Sequence, residues 1–171
     1  DRVAVLGIGG LGHLAVRFLR AWGCEVTAIT STAAKAPAVR ELGAHEVVSL
    51  DDPAGLKRCA RRFDFLLVTA NASLPWNDLL ATLTPRGRMH VVGAVLEPIP
   101  VPAFARIGGQ RSVSGSALGR PATIARMLDF CARHDIRPIV ERFPLSQVNQ
   151  ALAHLRSGKA RWRIVLDNDY A

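Results

Sequence analysis

Short, largely apolar runs recur along the chain: Arg2 to Leu6, Val26 to Ile29, His45 to Leu50, Phe65 to Val68, Arg88 to Val92 and Ser112 to Gly115. They are near-continuous rather than alternating, which predicts strands covered on both faces, as in a parallel sheet. Between them the apolar spacing becomes helical. Leu11, Leu14, Ala15, Phe18 and Trp22 share one face, predicting a helix from about Gly10 to Trp22 that stops at Gly23. Further helices are expected from near Ala36 to Leu42, from Asp52-Pro53 to Ala60, and from Pro75 to Leu83. A proline-rich loop follows from Glu97 to Pro102. Strands alternating with helices give right-handed βαβ units.

After Gly119 the pattern changes. Pro121 to His134 reads as an amphipathic helix with Ile124, Met127, Leu128 and Cys131 on one face. A strand (Ile139 to Phe143), a helix (Ser146 to Arg156, with Ser146 as its cap) and a last strand (Trp162 to Leu166) complete the expectation. The division drawn is residues 1–117 as a nucleotide-binding domain and 118–171 as an α+β return segment of a second domain. Because the first residues already form a strand, the chain reads as a piece of a longer protein.

The first strand runs straight into Gly7-x-Gly9-x-x-Gly12. In that context each glycine has a job: Gly7 turns the chain, Gly9 admits a close approach by pyrophosphate, and Gly12 lets the helix pack on the strand. The unpaired amides opening the helix suit a diphosphate. A strand-to-helix turn without a ligand is the bland alternative, but the flanking strand, helix and second strand favour a dinucleotide. The expected fold class is therefore α/β, a Rossmann doubly wound parallel sheet of strand order 3-2-1-4-5-6 with an α+β return segment. Its ligand would cross the carboxyl ends of the strands at the order switch.

The end of the second strand bears on which dinucleotide. NAD sites carry Asp or Glu there for the ribose hydroxyl. Here Thr30-Ser31-Thr32 stand in that place, Lys35 follows one turn on, and no acid appears until Glu41. Small hydroxyls and a lysine can take a 2′-phosphate that a carboxylate would repel, which predicts NADP over NAD. Ser31 and Thr32 as helix caps and Lys35 as surface charge is the competing reading.

Composition narrows the field. With 171 residues and 49% hydrophobic content, the chain is long and apolar enough for a packed core. No run approaches the roughly 18 apolar residues of a membrane span, and no secretion signal is visible. The net charge of +8 comes from 22 Lys and Arg, of which only Lys35, Lys57 and Lys159 are lysine. The arginines are scattered and aromatics are 6%, so a nucleic-acid surface is not expected. Cys24, Cys59 and Cys131 lie far apart with no metal-site spacing, and fit reduced cytoplasmic thiols acting as apolar filler.

Gly7-Ile-Gly-Gly-Leu-Gly-His13, Thr30-Ser31-Thr32-x-x-Lys35, Leu42-Gly43-Ala44 and Ser157-Gly158-Lys159-Ala160-Arg161-Trp162-Arg163 resemble the zinc-dependent medium-chain alcohol dehydrogenases, in particular the NADP-dependent cinnamyl-alcohol-type branch. The resemblance implies hydride transfer between NADP(H) and an alcohol/aldehyde pair. It implies a zinc held by an N-terminal catalytic domain and by no residue of this chain, so the chain alone would bind cofactor without turning over substrate. Carried over residue by residue, Gly7, Gly9, Gly10, Leu11 and Gly12 meet the pyrophosphate; Ser31, Thr32 and Lys35 face the 2′-phosphate. Thr69 and Ala70 lie near the ribose. Val92, Gly93, Ala94, Ser114, Gly115 and Ser116 line the nicotinamide, and Arg163, with Arg161 as rival, reaches back to the pyrophosphate. For the strand-end residues, small side chains making turns compete with contact. No catalytic residue is assigned within the chain, and His13 is given a structural or phosphate-near role. The resemblance also implies a homodimer paired through the edge of strand six. A zinc-free quinone or enoyl reductase of the same superfamily and a non-catalytic nucleotide-sensing domain are the alternatives.

Overall fold

A computed structural model of the chain describes residues 1–170. Six strands form one parallel sheet: β1 (Arg2–Leu6), β2 (Glu25–Thr30), β3 (Glu46–Ser49), β4 (Phe63–Val68), β5 (Leu83–Val91) and β6 (Ser112–Gly115). Their order is β3-β2-β1-β4-β5-β6, as expected from the alternating pattern. The unbroken apolar runs have a direct cause in the packing. Along β1, Ala4 and Leu6 enter one core with Leu66, Val68, Leu79, Leu80 and Met89, while Val3 and Val5 enter a second core with Val16, Val26 and Ala28. Successive side chains point to opposite faces, so a strand covered on both sides must be apolar at every position.

Helices α1 (Gly12–Ala21) and α2 (Ala36–Glu41) cover one face; α3 (Pro53–Arg58), α4 (Trp76–Ala81) and α5 (Ala103–Ile107) cover the other. Three local expectations need correction. Helix α1 starts at Gly12 rather than Gly10, because Gly9 and Gly10 remain in the turn. The helix expected to run to Leu83 ends at Ala81, and β5 begins at Leu83. That strand runs through Pro85 and Arg86 (φ 64°), an irregularity where its register with β4 jumps from Phe63↔Leu83 to Phe65↔Arg88. Helix α5 had no periodic signal, being only five residues long.

Arg62, at the start of β4, reaches Glu25 at 3.3 Å and Glu46 at 2.6 Å, tying together the amino ends of β4, β2 and β3. Its half-buried guanidinium is held above the ordinary arginine range, chiefly by the Glu46 hydrogen bond. Arg62→Met is expected to cost about 1 kcal/mol, the upper range for such pairs, read as a lower urea midpoint at unchanged slope. An unchanged midpoint would show the two ion pairs to be thermodynamically idle.

The remaining chain forms α6 (Pro121–His134), β7 (Val140–Pro144), α7 (Val148–Arg156) and β8 (Arg163–Asp167). Strands β7 and β8 pair in parallel as a separate two-stranded sheet. Helix α6 meets α1 through Phe130, whose ring lies 5.9 Å from those of both Phe18 and Trp22. Its stripe of Ile124, Met127 and Leu128 is present as read, but it faces outward. Ser146 does not cap α7. It sits in a 3₁₀ turn (Leu145–Gln147), where its amide and hydroxyl both donate to the Asp169 carboxylate.

Candidate functional site

A cleft of about 930 Å³ crosses the carboxyl ends of β1, β2, β4 and β5, where the strand order switches. It lies at the upper end of the roughly 300–1,000 Å³ of small-molecule sites.

The glycine turn forms its floor. Gly7 has φ +92°, and a Cβ there would stand 2.6 Å from the Ala70 amide nitrogen, so only glycine fits. A Cβ on Gly12 would stand 2.2 Å from the Gly7 carbonyl oxygen, so α1 rests directly on the turn. Thr69 locks this contact by donating its hydroxyl to the Gly7 carbonyl. Gly9 is different: nothing lies within 4 Å of where its Cβ would be, and the space it leaves belongs to the cleft. The amides of Gly10, Leu11 and Gly12 donate to no acceptor among the described residues. They open a helix of ten residues, where unpaired donors and the positive end of the helix dipole coincide.

Two cations and no carboxylate line the cleft among the described residues. Lys35 donates from Nζ to Ser31 Oγ at 3.3 Å, so these two side chains meet beside the end of β2. Arg163 comes from the far end of the chain. Its Cδ and Nε would both lie 3.1 Å from a Cβ on Gly10, which places the arm of the side chain across the glycine turn.

Gly7, Gly9, Gly10, Leu11, Ser31, Lys35, Thr69, Ala70, Val92, Gly93, Ala94 and Arg163 are thus brought together around one cleft. Gly12 lies beneath it, buried against Gly7. Thr32 does not line it; its carbonyl accepts from the Thr30 hydroxyl at 2.8 Å, and neither Ser31 nor Thr32 caps a helix through its side chain. Ser114, Gly115 and Ser116 are also outside the lining. Both serine hydroxyls are engaged by His90, Ser114 at Nδ1 and Ser116 at Nε2, each at 2.9 Å. Arg161 likewise stays outside; its amide donates to the Glu141 carboxylate. Sequence reasoning missed Asn71, Ala72, Ser73 and Leu74 after β4, and Leu155, Gly158, Ala160 and Trp162 of the return segment. The position of Asn71 to Leu74 just past a strand end was an available signal, and Gly158, Ala160 and Trp162 lie in the Ser157–Arg163 segment already singled out; Leu155 carried none.

A smaller hollow of about 220 Å³ sits against the outer edge of β3. Of the charged residues lining it, Asp52 and Arg58 pair with each other at 3.0 Å, Glu46 pairs with Arg62, and Asp51 completes the set; none of the glycine-turn residues reaches it. Among the described residues no three His, Cys, Asp or Glu side chains converge to hold a metal ion. Among the described residues no helix is long and apolar enough to cross a membrane.

The family model described as zinc-binding dehydrogenase matches residues 10–133. Aldehyde reductase AdhA of Synechocystis sp. is 55% identical over 167 residues, 98% of this chain and 50% of that protein. Among solved structures, a cinnamyl alcohol dehydrogenase of Sorghum bicolor superposes with a TM-score of 0.93 at 38% identity, over 98% of this chain and 48% of that one. CAD from Helicobacter pylori, solved in complex with NADP(H), gives a TM-score of 0.85 at 28% identity, again over 98% and 48%. The chain spans about half the length of the relatives it matches.

Proposed function

The chain belongs to the zinc-binding dehydrogenase family, and we propose that it is the NADP(H)-binding half of an oxidoreductase acting on an alcohol/aldehyde pair. The observation that carries the cofactor choice is the Ser31–Lys35 pair at the end of β2, in a cleft without a carboxylate. A 2′-phosphate placed there would meet a hydroxyl and an ammonium, and no like charge. The free amides of residues 10–12 and the arm of Arg163 suit the diphosphate. Thr69, Ala70, Val92, Gly93 and Ala94 offer small side chains to the ribose and nicotinamide.

Bound there, NADP(H) supplies the hydride donor or acceptor. This chain's residues bind and orient it, and no acid, base or metal ligand of the reaction is assigned to them. Because no three His, Cys, Asp or Glu side chains converge among the described residues, this reading places the family's zinc on residues outside this chain. Residues 118–171 would return to that other domain, which suits the outward apolar stripe of α6. On this reading the chain alone binds cofactor without turnover. The three free cysteines suit a cytoplasmic setting. The edge of β6 suits pairing with a second copy, a homodimer that sedimentation at high concentration tests.

The direct experiment is calorimetric titration with NADP and NAD separately. We expect NADP to bind at least tenfold more tightly, a difference of about 1.4 kcal/mol. Equal affinities, or tighter NAD, would remove the argument from Ser31 and Lys35.

A further inference from the structure

His13 stands within the first turn of α1, is fully buried, and has no part in the contacts assigned above. Its Nδ1 lies 3.1 Å from the Gly9 carbonyl oxygen, and its Nε2 lies 3.2 Å from the Ile139 amide nitrogen. An amide N–H only donates, so Nε2 accepts and the ring proton sits on Nδ1, donated to Gly9. That tautomer is assigned from the hydrogen-bond partners. Burial foremost, together with the positive charges of Arg17 on α1 and Arg163 on β8, keeps the ring below the ordinary histidine range; those two arginines are the charged groups that face it.

The ring also stacks on Trp162, with centroids 5.7 Å apart and planes 13° from parallel. Ile139 immediately precedes β7 and Trp162 immediately precedes β8. Both strands of the return sheet therefore enter beside one imidazole. Trp162 lines the cleft, and its carbonyl oxygen would stand 3.2 Å from a Cβ on Gly10, next to the arm of Arg163. Where this ring sits fixes where Arg163 sits relative to the free amides.

We propose that His13 is a positioning residue for the dinucleotide diphosphate: it docks the return segment onto the glycine turn and so sets Arg163 across Gly10. The proposal rests on reading the cleft as a dinucleotide site. A histidine is suited to the task because one ring donates to the turn, accepts from the tail and presents a flat face to an indole. Phenylalanine offers only the last of these.

The test compares the wild-type chain with His13→Phe and His13→Gln, using NADPH titration and amide hydrogen exchange at Ile139. In His13→Phe, protection at Ile139 is expected to fall at least tenfold and NADPH affinity about tenfold. In His13→Gln, whose side-chain amide can donate and accept, both should recover in part. Wild-type affinity in His13→Phe, or unaltered protection at Ile139, overturns the proposal. Should His13→Phe not fold, the wild-type chain still decides. Protonating Nε2 removes the acceptor for Ile139, so protection there must drop over the pH range in which the His13 ring resonance titrates; constancy through that range refutes the docking role. A wild-type chain that bound no dinucleotide would instead overturn the functional reading, with the exchange data still reporting on the docking itself.

Discussion

Gly12→Ala is expected to lower the thermal midpoint by roughly 6–12 °C, from about 3 kcal/mol of overpacking. It should also weaken dinucleotide binding at least tenfold. The added methyl would lie 2.2 Å from the Gly7 carbonyl oxygen and 3.1 Å from Thr69 Oγ1. Neither neighbour can give way. The Gly7 carbonyl is held by the Thr69 hydroxyl, and Thr69 in turn donates from its amide to Leu6 at 2.9 Å. Relief has to come from α1 lifting off β1, which carries the free amides of residues 10–12 away from the diphosphate position. Gly9→Ala is the matched control. Its methyl enters open cleft, with no atom beyond its immediate chain neighbours within 4 Å, so stability should stay within about 0.5 kcal/mol while NADPH affinity falls. If Gly12→Ala melts with the wild type, the close packing of helix on turn is not what this glycine is for.

These two glycines mark where the sequence was informative. The motif and the apolar runs gave the sheet order, because a strand buried on both faces must be apolar throughout and a βαβ crossover has one hand. The family resemblance read from the glycine turn and the Ser157–Arg163 segment agrees with the family match over residues 10–133. What escaped was set by distant contacts. Ser146 has the composition of a cap, but Asp169, 23 residues on, takes its amide and hydroxyl. Thr32 belongs to the right tripeptide, yet its backbone is turned to serve Thr30, leaving Ser31 to meet Lys35. Ser114 and Ser116 end the right strand, yet His90 on β5 engages both. Trp162 and Gly158 reach the cleft because β8 pairs with β7, a register no local pattern announces.

The return segment changes how the cleft is understood. A glycine turn and six strands make a cradle open on one side. Leu155, Gly158, Ala160, Trp162 and Arg163 add a second wall from residues more than a hundred positions away. The loop that carries them is itself fastened, since Glu141 accepts from both the Arg161 amide and, at 2.7 Å, His154 Nε2. The backbone donor at Arg161 is the main reason the Glu141 carboxyl lies below its ordinary range, with His154 adding to it. The anionic form is therefore the one that holds the wall in place.

Ser31→Asp is expected to cost NADP affinity roughly 30- to 100-fold, or about 2–3 kcal/mol. A carboxylate at this position would sit within reach of Lys35, now 3.3 Å from the serine hydroxyl, and would draw the ammonium to itself. The 2′-phosphate would lose its cation and gain a like charge in a cleft whose lining otherwise has none among the described residues. NAD, which offers a hydroxyl at that place, can donate to the new carboxylate, so its affinity should hold or improve. Lys35→Ala separates the two effects: it removes the cation without adding repulsion, and should weaken NADP about tenfold while leaving NAD unchanged. Both side chains are exposed, so folding stability should stay within about 0.5 kcal/mol in either variant. Titration of both variants with both dinucleotides gives four numbers. An unchanged NADP affinity in Ser31→Asp would mean that the phosphate, if it binds, is read somewhere other than the end of β2.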